Sequence, residues 1–68
     1  AQSVVDNLGY VYTSDAYNAV VYQFSPSGSL VSQIGAGTLV TPFGLTLDAQ
    51  EDLLVCDQGA NRIVVFNK

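Results

Sequence analysis

The sequence predicts an all-β fold of short antiparallel strands, and three observations support this prediction. No stretch of about eleven residues or more keeps apolar side chains at the spacing of a helix face. Short segments rich in Val, Leu, Ile and Tyr instead alternate with clusters of Gly, Ser, Asn, Asp and Gln. Apolar residues make up 49% of the 68 residues and charged residues 12%, a composition that favours a folded domain over a disordered chain.

Four strands are predicted in the first half of the chain, because each apolar segment there is bounded by residues that favour turns. Residues 7–9 (Asn-Leu-Gly) and 26–28 (Pro-Ser-Gly) are such segments, since their glycines accept the backbone angles that tight turns require. Residues 35–37 (Gly-Ala-Gly) end the last of these strands in the same way. The predicted strands are residues 3–5, 10–13, 19–24 and 30–34.

Three more strands are predicted in the second half. Pro42 lies just before the first of them, where its missing N–H costs no hydrogen bond of the sheet. Residues 58–60 (Gln-Gly-Ala) form a turn before the last, an unbroken apolar run that ends the pattern. The predicted strands are residues 45–47, 53–56 and 62–66.

The chain also contains an internal repeat. Shifting the sequence by 42 positions aligns its two ends without a gap and pairs apolar residues within the predicted strands. A period near 40 residues, with about four short strands in each unit, is the signature of a β-propeller blade. Helical repeats of similar length would need a helical periodicity that this sequence lacks. The identical pairs are Asp6 with Asp48, Asp15 with Asp57, and Phe24 with Phe66.

The second copy of the repeat resembles the NHL repeat of β-propeller proteins. Residues 44–66 read Gly-Leu-Thr-Leu-Asp, then a turn, then Leu-Leu-Val-Cys-Asp, and then Gly-Ala-Asn-Arg-Ile-Val-Val-Phe. Pro42 and Gly44 supply the Pro-x-Gly start of the family pattern, and Ala60 stands where the family has Asn. The first copy fits less closely, with Gln2 at the position of Gly44 and Val20 at that of Arg62.

The resemblance implies two propeller blades. Residues 1–43 are then the first blade with its outer strand and a linker, and residues 44–68 are a second blade with three strands and no outer strand. A blade packs both faces against its neighbours, so we expect two apolar sheet faces and one strand edge to be left uncovered by the chain itself. This predicted assembly edge consists of Arg62, Ile63, Val64, Val65 and Phe66.

Three arrangements would cover these surfaces. The chain is a piece of a longer propeller, or three chains close a ring of six blades, or strands are exchanged so that chains add to one another in an open filament. NHL-like propellers commonly have six blades, as the resemblance implies, and this number favours the trimer. The predicted partners are therefore copies of the chain itself.

Composition excludes several classes of function. With two basic and six acidic residues and a net charge of −4, the chain cannot present the cationic surface that nucleic acid requires. The longest apolar runs are four residues, whereas a membrane helix needs about 20. There is no His, no Met and one Cys, so we predict no metal ion and no cofactor.

Three polar groups that resemble chemical sites are better explained by structure. Cys56 occupies the repeat position of Ser14 and has no base beside it, so it is predicted to be a small buried residue. The acidic group at residues 48–52 lacks the spacing of a calcium-binding loop and is predicted to be a solvated turn. Asp15 and Asp57 are predicted to accept hydrogen bonds from turn amides.

Two aromatic residues are candidates for contact with a peptide or carbohydrate ligand. Tyr17 falls in a predicted turn, where burial is least required, and Phe43 follows Pro42 where it can line one end of a ring. The remaining tyrosines are predicted to pack between blades with their hydroxyl groups at the rim.

The sequence therefore predicts a non-catalytic module for binding or self-assembly. One alternative is a structural subunit of a filament joined by strand exchange. A second alternative is a fragment of a propeller enzyme, because some NHL-like relatives are lyases or lactonases; such sites need His or several converging acids. The pI of 4.1 and the Ser- and Gly-rich turns are typical of extracellular or cell-surface proteins, without deciding the compartment.

Overall fold

A computed structural model describes residues 2–67, and these residues form seven strands in two antiparallel sheets. The predicted all-β class is confirmed. Each sheet is a simple meander in which strands that follow one another in sequence are also neighbours in space. The first sheet contains β1 (Ser3–Val5), β2 (Val11–Asp15), β3 (Val20–Phe24) and β4 (Leu30–Ile34). The second contains β5 (Pro42–Leu47), β6 (Leu53–Asp57) and β7 (Arg62–Phe66).

The strand boundaries differ from the predicted ones at a few positions. β5 begins at Pro42 and not at residue 45, because Pro42 pairs with Asp57 across a bulge that precedes Gly44. β3 begins one residue late, because Ala19 adopts the left-handed conformation with a φ of 57°. The predicted turn at residues 58–60 is a single 3-10 turn. No helix within the described residues is long and apolar enough to cross a membrane.

The two sheets have the same strand register at an offset of 42 residues. Ser3 pairs with Thr13 in the first sheet, and Leu45 pairs with Val55 in the second. Every pairing of β1 with β2 and of β2 with β3 recurs in this way between β5, β6 and β7. The internal repeat is therefore a repeat of three-dimensional structure as well as of sequence.

The first turn of each sheet repeats the same geometry. Asp6 Oδ1 accepts hydrogen bonds from the backbone N–H groups of Leu8 and Tyr10, at 3.0 and 2.9 Å. Asp48 Oδ1 accepts the corresponding bonds two and four residues further on, at 2.9 and 3.0 Å. These aspartates hold the turns by satisfying backbone donors that would otherwise point into water.

The hydrophobic core lies between the two sheets. Val21 and Val55 are fully buried, and Leu39 of the β4–β5 linker closes the core from one side. Burying a side chain of this size stabilises the folded chain by about 1.5–3 kcal/mol. The inner faces of both sheets are therefore joined by apolar packing. The residues packed in or against this core are Val4, Tyr12, Val21, Ile34, Leu39, Leu45, Leu47, Leu53, Val55, Val64 and Phe66.

Substitution of Gly35 tests how tightly the linker is held. Gly35 has a φ of 81°, and a Cβ atom there would lie 2.5 Å from Leu39 Cδ1. Gly37 has a similar φ of 82°, but nothing lies within 4 Å of its Cβ position. We expect Gly35→Ala to lower the free energy of unfolding by about 3 kcal/mol and the control Gly37→Ala by about 1 kcal/mol. Urea denaturation measures both, and equal losses would contradict the packing of Leu39 on Gly35.

Candidate functional site

The outer face of the second sheet is apolar and exposed. Side chains alternate across a strand, and the inner positions of β6 and β7 pack into the core. The alternate positions point away from the first sheet, and two of them, Ile63 and Val65, are 60% and 52% exposed. A water-exposed β-branched pair on an edge strand is a surface suited to contact with another sheet. We define this outer face by Leu54, Cys56, Ile63 and Val65.

The outer face of the first sheet carries an apolar row, and the polar side chains of Ser3 and Thr13 lie beside it. Val5, Val11 and Phe24 lie directly opposite one another on β1, β2 and β3, and Leu30 of β4 pairs with Phe24. Val5 and Leu30 are 60% and 53% exposed. The result is an apolar row that crosses all four strands. With Tyr22, whose ring centroid lies 6.4 Å from that of Phe24, these residues define the outer face of the first sheet.

Each outer face occupies the same repeat positions as a face that is buried inside the chain. The outer face of the second sheet corresponds to the inner face of the first, and the outer face of the first corresponds to the inner face of the second. The two exposed faces thus match the two faces that pack together in the core at most apolar positions, except that Ser3 and Thr13 stand where the second sheet has Leu45 and Val55. Corresponding pairs include Leu54 with Tyr12, Cys56 with Ser14, Ile63 with Val21, Val5 with Leu47, Val11 with Leu53, and Phe24 with Phe66.

The predicted assembly edge is divided by the structure into two sets. β7 is an outer strand of its sheet within the described residues. Val64 and Phe66 pack against the core, whereas Ile63 and Val65 are exposed on the outer face. Arg62 belongs to neither set, because its side chain binds Asp57. The sequence prediction treated the five residues as one group because it did not assign the two faces of the strand.

Asp57 is buried and holds the β4–β5 linker against the end of β6. Its carboxylate accepts hydrogen bonds from the backbone N–H of Thr41 at 2.8 Å and of Val40 at 3.1 Å, and from Arg62 Nε at 3.3 Å. Arg62 also donates to the carbonyl oxygen of Thr38 at 2.6 Å. The predicted amide partners are present, but they belong to the linker and not to the turn that follows Asp57.

Opposing effects determine the pKa of Asp57. Burial is the largest single effect and raises the pKa of this carboxyl. The hydrogen bonds from Thr41 and Val40 and the adjacent Arg62 guanidinium together outweigh burial, so the pKa lies below its ordinary value. Asp15 at the equivalent position instead binds its own turn, accepting from the backbone N–H groups of Tyr17 and Asn18. The hydrogen bond from the Asn18 side-chain amide has the largest effect on the pKa of Asp15 and lowers it.

The prediction that Cys56 is buried is wrong. Cys56 is exposed, because it lies on the outer face of the second sheet. Its counterpart Ser14 is buried, because the second sheet covers that position. The Ser14 hydroxyl donates to the carbonyl oxygen of Phe43 at 2.8 Å and accepts from the backbone N–H of Gln2 at 3.1 Å. The same repeat position is therefore buried in one sheet and open in the other.

The two candidate ligand-contact residues lie at the same end of the sheets. Tyr17 is 95% exposed in the β2–β3 turn. Phe43 is half-exposed on β5, and its carbonyl oxygen binds Ser14 near the end of β2. Contact of either ring with a peptide or carbohydrate stays a prediction.

A cleft at the opposite end of the sheets was missed by the sequence analysis. It has a volume of about 340 Å³ and is lined by residues of both repeats, including Tyr12 and Glu51. Tyr12 donates its phenolic hydrogen to Asp6 Oδ2 at 2.9 Å, and Glu51 Oε1 accepts from the backbone N–H of Asn7 at 2.6 Å. Burial, followed by the hydrogen bond to Asp6, raises the pKa of Tyr12, which stays protonated at neutral pH.

One signal in the sequence could have identified this cleft. Glu51 occupies the repeat position of Gly9 and shares its left-handed backbone, with a φ of 64° against 89°. A side chain at a position that favours glycine indicates a role for that side chain.

Among residues 2–67, no three His, Cys, Asp or Glu side chains group as ligands for a metal ion. Comparison of the chain with protein-family models and with curated proteins gives no match.

Proposed function

We propose that this chain is a non-catalytic, NHL-like β-propeller module whose function is self-assembly through the faces of its sheets. Each sheet is one blade. The observation that carries the proposal is the correspondence between the exposed outer faces and the buried inner faces. A second copy can pack on the first copy in the way that the two sheets pack on each other within one chain. The outer face of the second sheet of one copy then contacts the outer face of the first sheet of the next copy.

The proposed contact is heterologous, because it joins two different surfaces. Ile63 of one copy takes the place that Val21 has in the core, and the row of Val5, Val11 and Phe24 on the next copy takes the place of its counterparts in the second sheet. Heterologous contacts close into rings when the rotation between units allows it, and form open series otherwise. The resemblance to NHL repeats favours six blades and hence a ring of three chains.

The non-catalytic part of the proposal rests on composition. The chain has no His and a single Cys, so it lacks the usual general base for hydrolytic chemistry. The polar residues at strand ends instead have structural partners: Asp57 binds linker amides, and Asp6 and Asp48 bind turn amides. This use of the acidic side chains favours a scaffold over an enzyme.

Sedimentation equilibrium tests the proposal directly. We expect a single species with the mass of three chains of 7.2 kDa each, present across a hundredfold range of concentration. A mass that keeps increasing with concentration would contradict the ring and support the open filament joined by strand exchange. A species with the mass of one chain at every concentration would overturn self-assembly.

Reaction of Cys56 with a thiol reagent gives a second and independent measurement. The exposed thiol of a dissociated chain should react freely, whereas assembly should bury it and slow the reaction by about tenfold or more. The matched control is Ser14→Cys in a Cys56→Ser background, whose thiol is covered within the chain at every concentration. If Cys56 reacts equally fast at all concentrations, this face is not the contact surface.

A further inference from the structure

The cleft lies at the end of the sheets that contains the β1–β2 and β5–β6 turns, and it is separate from the proposed assembly surfaces. It lies between the repeats within one chain, where the Glu51 carboxylate reaches the Asn7 amide of the other repeat. Its volume of about 340 Å³ is within the range of small-ligand sites. One part of its lining is apolar and another is polar and acidic. The residues that matter for its chemistry are Asp6, Tyr12, Gln23, Glu51, Leu53 and Phe66.

A chain of hydrogen bonds crosses the inner face of the first sheet and ends at the cleft. The Ser32 hydroxyl donates to Gln23 Oε1 at 2.8 Å, and Gln23 Nε2 donates to the Tyr12 hydroxyl at 3.2 Å. Tyr12 in turn donates to Asp6 Oδ2. The chain fixes the orientation of the Tyr12 ring and of the Asp6 carboxylate beside it.

The second repeat has apolar residues at the positions of two of these polar side chains, and there they lie on the outer face of the second sheet. The position of Tyr12 is occupied by Leu54 in the second repeat, and the position of Gln23 is occupied by Val65. Placing polar groups between sheets costs free energy unless each is hydrogen-bonded, and apolar residues avoid this cost. Between the sheets, the hydrogen bonds that Tyr12 and Gln23 make to each other and to Asp6 and Ser32 offset this cost and hold polar groups at the cleft.

The charge of the cleft points to a cationic ligand. Asp6 and Glu51 are its charged lining residues, and neither Lys nor Arg lines it among the described residues. The Arg62 side chain is held at the other end of the sheets by Asp57. Leu53, which is buried, and Phe66 offer an apolar surface for a hydrocarbon stem, and the Tyr12 ring offers a face that favours a cation.

We propose that this cleft binds an alkylammonium group carried on an apolar stem, the chemistry of a lysine side chain in a partner peptide. The ammonium lies between the carboxylates of Asp6 and Glu51, and the methylene stem contacts Leu53 and Phe66. This partner differs from the second copy of the chain that the outer faces bind.

Titration with N-acetyl-lysine amide, followed by amide chemical shifts in NMR, tests the proposal. We expect saturable shifts at Tyr10 and Tyr12, with a dissociation constant on the order of 1 mM as befits a ligand of this size. N-acetyl-norleucine amide has the same stem without the charge and should bind at least about fivefold more weakly. Equal binding of the two ligands, or the absence of saturable shifts, would overturn the proposal.

Two pairs of variants assign the binding to the cleft. Asp6→Asn keeps an oxygen that can accept from Leu8 and Tyr10, and the control Asp48→Asn makes the same change in the equivalent turn outside the cleft. We expect Asp6→Asn to weaken lysine binding by about fivefold and Asp48→Asn to leave it unchanged. Equal weakening in both would mean that the ligand responds only to net charge.

Glu51 provides the second pair. Glu51→Gln retains an acceptor for the Asn7 amide but removes the charge, and Glu51→Gly restores the glycine that the equivalent turn contains. Both variants should bind N-acetyl-lysine amide about fivefold more weakly. Glu51→Gly also removes the backbone strain of a non-glycine residue in the left-handed conformation. Unchanged lysine binding in both folded variants would exclude the proposed ammonium position.

Discussion

In the proposed assembly, replacing Ile63 by Glu should leave single folded chains. Ile63 is 60% exposed on the outer face of the second sheet, on the edge strand β7, so a glutamate there remains hydrated in the isolated chain. Assembly would bury this carboxylate against the apolar row of Val5, Val11 and Phe24, without a cationic partner. The penalty for burying an unpaired charge is large enough to raise the dissociation constant by at least about 100-fold. Sedimentation equilibrium measures the effect.

Tyr17→Glu is the matched control for this substitution. It adds the same charge at a position that is 95% exposed and lies in a turn, outside both outer faces. We expect its assembly state and its unfolding midpoint to match those of the unchanged chain. If Tyr17→Glu also dissociates the assembly, the outer faces are not the contact surface and the loss reflects net charge or a contact made by the turn.

The heterologous nature of the contact can be tested by mixing two defective chains. Val5→Glu blocks the outer face of the first sheet, and Ile63→Glu blocks the outer face of the second. Each variant alone should be monomeric, but each retains the face that the other lacks. An equimolar mixture should therefore form a species of two chains and nothing larger. A contact between identical faces predicts the opposite, because one of the two variants would then still associate by itself.

The architecture was largely predictable from the sequence because it depends on local signals. Turn residues such as Gly9 and Gly28 separate the strands, and the two sheets share one register because the sequence repeats at 42 positions. The burial of individual strand residues was less predictable. Val64 and Ile63 are adjacent and similarly apolar, and only the packing of β5 and β6 on the first sheet decides which of them is covered.

Contacts between distant segments were not predictable from the sequence. Asp15 and Asp57 are equivalent in the repeat, yet Asp57 binds amides that precede it by 16 and 17 residues. The sequence alone does not show that the β4–β5 linker packs against the end of β6, where Asp57 lies. The local sequence around Glu51 predicts only a solvated turn for the same reason, because the contact of Glu51 with Asn7 spans 44 residues. Of these residues, only Glu51 differs from its repeat counterpart, Gly9, whereas Asp57 and Asp15 are identical.

Replacing Asp57 by Ala should abolish cooperative folding. The carboxylate is fully buried, and its loss leaves the N–H groups of Val40 and Thr41 without their acceptor and Arg62 without its partner. A domain of this size has a total stability on the order of 5 kcal/mol, so it cannot tolerate the loss of all of these interactions together. Asp15→Ala, at the equivalent position, loses hydrogen bonds to the exposed β2–β3 turn and should still fold with a lower midpoint. Circular dichroism during urea titration distinguishes the two variants.

The same carboxylate should make the stability of the chain depend on pH in the acid range. The pKa of Asp57 in the folded state lies below its ordinary value of 3.8, so folding favours the ionised form. Its contribution is fully present above the ordinary value and is lost as the pH falls through the lowered one. Asp15, whose pKa is also lowered, acts in the same direction. Urea midpoints measured between pH 7 and pH 2 should fall steeply below about pH 4. Because its side chain does not titrate, a folded Asp57→Asn chain should show a shallower fall, and an unchanged slope would contradict the proposed role of Asp57.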